Sequence, residues 1–335
     1  MNQDKIAGSL FGLAFGDAMG APTEFLTVNE ILGRWPVAGP VEPEGNPARV
    51  TDDTQMALAV GKALAACLQA DDFTPATVER QLRSAFIEWC YSLENNRAPG
   101  RTCLTACENL AQGMAWIDAT QRYSKGCGAN MRVAPVAFLP DVDAKTRAAI
   151  AQFQAALTHG HATGLAASDL TAYAIRDLAE GGDYRTLTER LREYAEGQQF
   201  NYHADWLGDL WQRPGVMTAE SFIWRGWQEC LAVLDRLDDA LAHPEPDEDP
   251  CKFTGGGWVA EEALATGLLC YLLFPEEPRR ALQRAATTFG DSDSIACLTG
   301  AFAGAASGRK AWPAEWHERI EYADKLTQLI DILAV

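Results

Sequence analysis

Two short acid clusters lie roughly 240 residues apart in this chain. Thr51-Asp52-Asp53-Thr54 stands directly before the helical run Gln55-Met56-Ala57-Leu58-Ala59-Val60, and Asp291-Ser292-Asp293-Ser294 stands directly before Ile295-Ala296-Cys297-Leu298. Capping alone accounts for either cluster, because Thr51 is a natural N-cap and carboxylates in a first turn are favoured by the exposed N–H groups and the helix dipole. It accounts less well for both, together with Glu24 closing the run Gly16-Asp17-Ala18-Met19-Gly20-Ala21-Pro22-Thr23. Carboxylates and hydroxyls without His or Cys nearby are hard oxygen donors, which select Mg²⁺, Mn²⁺ or Ca²⁺ over zinc or copper. Glu24, Asp52, Asp53, Asp291 and Asp293 could converge only if cations offset their mutual repulsion. Two divalent ions suit that count.

Bringing such clusters together is the task of the elements around them. Apolar residues recur at three- and four-residue spacing over 4–20, 51–70, 74–94, 101–120, 145–157, 163–180, 185–197, 219–241, 257–273, 276–289, 293–308 and 315–333. No run of alternating β-branched residues interrupts them, so the expected fold class is all-α, a compact multi-helix domain. Breakers separate the runs: Pro36, Pro40, Pro43 and Pro47, then Pro99-Gly100, then Gly181-Gly182. Two glycine ladders stand out, Gly8, Gly12, Gly16 and Gly20, and Gly300, Gly304 and Gly308. Glycine costs about 1 kcal/mol relative to alanine inside a helix, so a four-residue repeat predicts close approach of another backbone. Both ladders adjoin the acids.

Composition limits the remaining readings. The chain has 335 residues, 46 Asp and Glu against 28 Lys and Arg, and a net charge of −18, which argues against a nucleic-acid partner. With 47% hydrophobic residues it can bury a sizeable core. Length alone suggests two domains, but ligands drawn from both ends of the sequence favour one domain over 1–335. Seven acids against Arg236 crowd the stretch from Asp235 to Pro250, read as a solvated helix end and loop. The N-terminus lacks a signal-peptide pattern, no apolar stretch is long enough to span a membrane, and nine scattered cysteines fit a reducing compartment, so a cytoplasmic location is expected. Cys103 and Cys107 read as buried small hydrophobes. Between Phe200 and Trp227 lie Tyr202, Trp206, Trp211, Phe222 and Trp224; this stretch, within an insert at about 198–250, reads as an aromatic subcore, the alternative being a partner anchor.

The sequence resembles the ADP-ribosylglycohydrolases over most of its length. The resemblance rests on six motifs in order: Gly8 to Glu24, Thr51-Asp52-Asp53-Thr54, Gly126-Cys127-Gly128-Ala129-Asn130-Met131-Arg132-Val133-Ala134-Pro135, Thr158-His159-Gly160-His161, Gly255-Gly256-Gly257-Trp258-Val259-Ala260-Glu261-Glu262, and Gly290-Asp291-Ser292-Asp293-Ser294. It implies an all-α fold with a binuclear Mg²⁺ centre, Mn²⁺ being the other candidate, and the ligands Glu24, Thr51, Asp52, Asp53, Asp291, Asp293 and Ser294. It also implies a cleft for ADP-ribose lined by Gly126, Cys127, Gly128, Asn130, Met131, Arg132 and His159, to which Ser124 adds a hydroxyl; Trp258 either packs beside the adenosine or fills the core. Three positions depart from the family pattern: Ser294 replaces Thr, Phe289 replaces the first Gly of a Gly-Gly-Asp turn, and Cys127 replaces Asn.

The implied reaction is hydrolysis of the N-glycosidic bond between ADP-ribose and arginine on a modified protein, with Asp293, Glu24 and Asp53 as the carboxylates that steer water or a proton. Two alternatives stay open. One is an O-linked ADP-ribosylserine or a small ADP-ribose derivative as substrate. The other is an immunity protein that occludes a cognate ADP-ribosyltransferase toxin, with or without hydrolysis.

Overall fold

The computed structural model describes residues 1–334. Among them there is no β-strand, only isolated bridges such as Gly126 with Val259, and the helical periodicity read from the sequence becomes an all-α assembly. Its long helices are Gln3–Gly20, Asp52–Ala70, Pro75–Cys90, Arg101–Ala111, Ala144–Ala156, Ala162–Ala179, Leu187–Gln198, Ala219–Ala242, Ala260–Leu273, Ser292–Ser307 and Ala323–Leu333.

At the centre the Gln3–Gly20 helix runs antiparallel to Ser292–Ser307 with their backbones in contact. A Cβ placed on Gly12 would come within 2.2 Å of the Gly300 carbonyl oxygen, one on Gly16 within 1.9 Å of that of Ala296, and one on Gly304 within 1.9 Å of that of Gly8. Gly308 is the last rung of this zipper, its carbonyl carbon 2.5 Å from a Cβ placed on Gly8. It ends the helix at φ +81°, a conformation that favours glycine. Both central helices are buried on every side, which is why neither shows an amphipathic stripe. The Ala162–Ala179 and Ala260–Leu273 helices pack around the pair, and one contiguous core reaches from Ile6 to Leu333.

Several expected boundaries moved. The run over 101–120 stops at Ala111, passes Gly113 at φ +84°, and resumes only for Trp116–Ala119. The run over 315–333 divides into Ala314–Arg319 and Ala323–Leu333 around Tyr322, held in the left-handed region while its hydroxyl donates to Glu94 at 2.8 Å. A helix at Val28–Arg34 stands where none was expected, opened by a reciprocal capping box between Thr27 and Glu30. The Phe200–Trp227 aromatics pack inward for the most part: Trp227 is fully buried, Trp206 lies edge-on to Phe153, and Tyr202 edge-on to Phe222. Gly226 sits against the Ala162 carbonyl, so the Ala219–Ala242 helix docks tightly on the rest of the molecule. The acidic stretch is only partly solvated. Arg192 pairs with Asp235 and Asp238, and Asp249 is buried, accepting from the backbone N–H groups of Cys251 at 3.0 Å and Phe289 at 3.1 Å.

Candidate functional site

The antiparallel zipper places the end of the Gln3–Gly20 helix beside the start of Ser292–Ser307. Ser292 donates to the Gly20 carbonyl at 3.0 Å, and buried Thr23 donates to the same carbonyl at 2.8 Å and lies 3.0 Å from Ser292 Oγ. These contacts stitch the turn carrying Glu24 onto the turn carrying Asp291 and Asp293. One carboxylate oxygen from each of Glu24, Asp291 and Asp293 lies within 4.8 Å of the others.

The second acid cluster is delivered by Asp17, a residue that reading for ligands had passed over. Fully buried in the first helix, Asp17 accepts from Thr51 N at 2.9 Å, Thr51 Oγ1 at 2.8 Å, Thr54 N at 3.0 Å and the Thr54 hydroxyl. This anchors the first turn of Asp52–Ala70 to the zipper. Ser294 then donates to Asp53 Oδ1 at 2.9 Å and so joins the two clusters directly. A signal for Asp17 was present: a charge within a helix that carries a glycine ladder and no polar face must be buried and must find donors.

The electrostatics of this arrangement are severe. Burial, then repulsion from Asp293, pushes Glu24 and Asp52 each up to about 8 and Asp17 up to about 7, although hydrogen bonds from Thr54 and Thr51 pull Asp17 the other way. Burial and the same neighbour hold Asp53 and Asp291 well above the usual carboxylate range, and burial raises Asp293 as well. No Lys or Arg forms an ion pair with any of the six among the described residues. A buried, all-oxygen donor set without a cationic side chain matches the chemistry of a hard divalent ion. Glu24, Asp52, Asp53, Asp291, Asp293 and the hydroxyls of Thr51 and Ser294 are the groups at hand to hold one.

The loops expected to line a cleft gather at the same place, with differences in which side chains face it. Cys127 N donates to the Trp258 carbonyl at 3.2 Å, Ala260 N to that of Lys125 at 2.8 Å, and Asp291 N to that of Gly256 at 2.8 Å, so three loops form one wall. The Cys127 thiol donates to Asp291 Oδ2 at 2.8 Å; it meets the acid cluster itself where an Asn amide was expected. Ser124, half-buried, shares a hydrogen bond with Thr102 at 3.0 Å. His159 is buried beneath Gly126 and Gly128, its Nδ1 2.8 Å from Thr158 Oγ1, and burial with the nearby Arg132 holds it well below the usual imidazole range, hence neutral.

Asn130, Met131 and Arg132 do not line an open cleft. Asn130 is fully enclosed and donates to the Ala260 carbonyl at 2.9 Å, Met131 is buried beside Ser294, and Arg132 spends its guanidinium on Gln154, Thr158 and the Phe86 ring. A motif read as one stretch divides in two: Gly126 and Cys127 stay partly exposed at the wall, and from Gly128 onward every residue through Pro135 is buried. Trp258 is not core: it is 44% exposed. A cavity of about 580 Å³ between the Asp52–Ala70, Pro75–Cys90 and Ala323–Leu333 helices is lined by none of these acids.

Comparison with known proteins gives this geometry a context. The ADP-ribosylglycohydrolase family model matches residues 1–335. An ADP-ribosylarginine hydrolase of Serratia proteamaculans is 25% identical over 342 residues, covering 98% of this chain and 79% of its own. An ADP-ribosyl-dinitrogen reductase glycohydrolase of Rhodospirillum rubrum is 24% identical over 325 residues, covering 95% and 90%. A solved structure described as an ADP-ribosylglycohydrolase-related protein complex superposes with a TM-score of 0.65 at 23% identity, over 99% of this chain and 97% of that one, and shares the fold.

Proposed function

The chain belongs to the ADP-ribosylglycohydrolase family, hydrolases of ADP-ribosyl glycosidic bonds, and from that premise we propose that it removes ADP-ribose from arginine side chains of modified proteins in a Mg²⁺-dependent reaction. The observation that carries this reading is the convergence of Glu24, Asp291 and Asp293 within 4.8 Å, beside Asp53 and with no cationic side chain paired to them. Similarity to an ADP-ribosylarginine hydrolase over nearly the whole chain supports arginine as the linkage.

Bound divalent ions at such a site supply a template for vicinal ribose hydroxyls and polarise water. The chain's own residues do the rest. The turn carrying Asp52, tied to Asp17 through Thr51 and Thr54, together with Asp53 held by Ser294 and Asp291 held by Cys127, fixes the site's shape before substrate arrives. Asp293, pinned through Ser294 N at 3.0 Å, presents a carboxylate beside Asp291. Glu24 is the only one of the six acids that is not classed as buried, so it is the group placed to exchange a proton with solvent. The leaving group needs little help, since the substrate guanidinium, with a pKa above about 12, is already protonated at neutral pH; cleavage releases it as neutral guanidine, which takes up the proton given by the attacking water. The glycine turn Gly126–Gly128, supported from beneath by neutral His159, carries no side chain at its glycines and so suits close approach of the diphosphate.

The decisive experiment incubates arginine-, serine- and glutamate-linked ADP-ribosyl proteins with the protein in Mg²⁺, in Mn²⁺ and in EDTA. Release of ADP-ribose from the arginine substrate in Mg²⁺, lost in EDTA and reduced at least about 100-fold in Asp53→Ala and Asp293→Ala, is expected. Release from the serine substrate alone would overturn the arginine reading, and full activity in both variants would overturn the site.

A further inference from the structure

Phe25 and Trp258 are 68% and 44% exposed, yet their rings stack on each other with centroids 5.6 Å apart and planes 19° from parallel. Each is carried by a segment that borders the acid cluster, and the two segments lie far apart in the sequence. Phe25 directly follows Glu24. Trp258 follows Gly257, where an added Cβ would stand 3.4 Å from that of Asp291, and its carbonyl accepts from Cys127 N. The stack therefore joins two separate segments at the edge of the site. It does so on the side that solvent reaches, because Glu24 is the one acid of the cluster that is not buried. Phe25 also holds φ +63°, a left-handed backbone that a bulky residue keeps only when its surroundings impose it. Its ring contact with Trp258 is a ready source of that constraint.

We propose that Phe25 and Trp258 form an entrance clasp: stacked, they bar the approach past Glu24, and only the parted form admits the ADP-ribosyl group. The identity of the entering group rests on the function proposed above; the clasp itself rests on the rings. Self-stacking competes with the ligand for the same space, so the observed association rate is the open-state rate multiplied by the open fraction. Removing either ring raises that fraction.

The test measures binding of the fluorescent analogue etheno-ADP-ribose to the Mg²⁺-loaded protein by stopped flow. Phe25→Ala and Trp258→Ala should each raise the association rate at least about fivefold, leave the dissociation rate within about twofold, and tighten binding by the ratio of the two, while Phe25→Tyr, which keeps a stacking ring, stays at the wild-type rates. Unchanged association with faster dissociation would mean that the rings hold the bound ligand, and it would overturn the clasp. A second readout needs no ligand. In 5-fluorotryptophan protein, the Trp258 resonance, assigned by its loss in Trp258→Phe, should show exchange broadening that disappears in Phe25→Ala and persists in Phe25→Tyr. A sharp Trp258 signal in the wild type would sink the clasp even if no ligand bound. Exchange at Trp258 without binding of the analogue would leave the clasp standing and count against the proposed function.

Discussion

Asp17 shows how much of the site depends on a residue that contributes no ligand. It offers only acceptors, and Thr51 and Thr54 surround it with two N–H and two hydroxyl donors. Asp17→Asn would turn one acceptor oxygen into an NH₂ facing those donors, leaving buried groups unpaired at about 1–3 kcal/mol each. The expected outcome is a lower melting temperature together with loss of the stabilisation that millimolar Mg²⁺ confers on the wild type, measured by differential scanning fluorimetry with and without EDTA. A variant that melts lower but keeps the full Mg²⁺ increment would show that Asp17 supports the fold and not the site. At this scale the acids that converge were largely legible, because carboxylates and hydroxyls opening two helices are the pattern that hard-cation chemistry needs whatever the fold. The supporting shell was not. Asp17 reads locally as one polar residue in an apolar helix, Asp249 as one acid among seven, and Arg132 as a cation next to a glycine loop; only tertiary burial distinguishes their roles.

Between elements, the glycine zipper carries the largest mutational sensitivity. A methyl group at Gly16 would lie 1.9 Å from the Ala296 carbonyl oxygen and one at Gly300 equally near that of Gly12, and backbone cannot rotate away as a side chain can. Gly16→Ala and Gly300→Ala are each expected to cost about 3 kcal/mol or more through forced separation of the helices, read by urea denaturation, and to abolish hydrolysis because Glu24 moves away from Asp291. Gly33→Ala is the control. Nothing lies within 4 Å of its added methyl in the Val28–Arg34 helix, so a gain of up to about 1 kcal/mol is expected. Equal effects at all three positions would show that helix propensity, not close approach, governs. The ladders themselves were visible in the sequence and so was their purpose, but not their pairing, since a four-residue repeat states that a partner exists without naming it. The Val28–Arg34 helix was missed although Thr27 and Glu30 spell a capping box, because the four prolines that follow suggested a loop throughout. Tyr322 was missed for the opposite reason: its left-handed backbone is imposed by a tertiary contact with Glu94, and nothing local marks a break there.

For the molecule as a whole, the acid cluster couples stability to pH and to cations. Glu24, Asp52 and Asp17 have folded pKa values of about 8, about 8 and about 7 against about 4 in an unfolded chain, so between those limits the metal-free native state binds more protons than the unfolded one. Stability from these groups is full below pH 4 and is lost as pH rises toward 8, the reverse of an ion-paired carboxylate. In EDTA the melting temperature should fall from pH 5 to pH 8, and Mg²⁺ should raise it more at pH 8 than at pH 5. A profile that is flat with and without Mg²⁺ would contradict the cluster's proposed role. The same architecture has a consequence for biosynthesis. Ser9 bonds to a carbonyl 292 residues downstream, and the helix that contains Ser9 is buried on every side from Ile6 to Gly20 in the folded molecule. At a synthesis rate of about 5–20 residues per second, that helix waits roughly 15–60 s outside the ribosome before its partner has been made. Its apolar surface stays unpartnered for that interval, and the acid cluster cannot assemble before the chain has been made as far as Ser294.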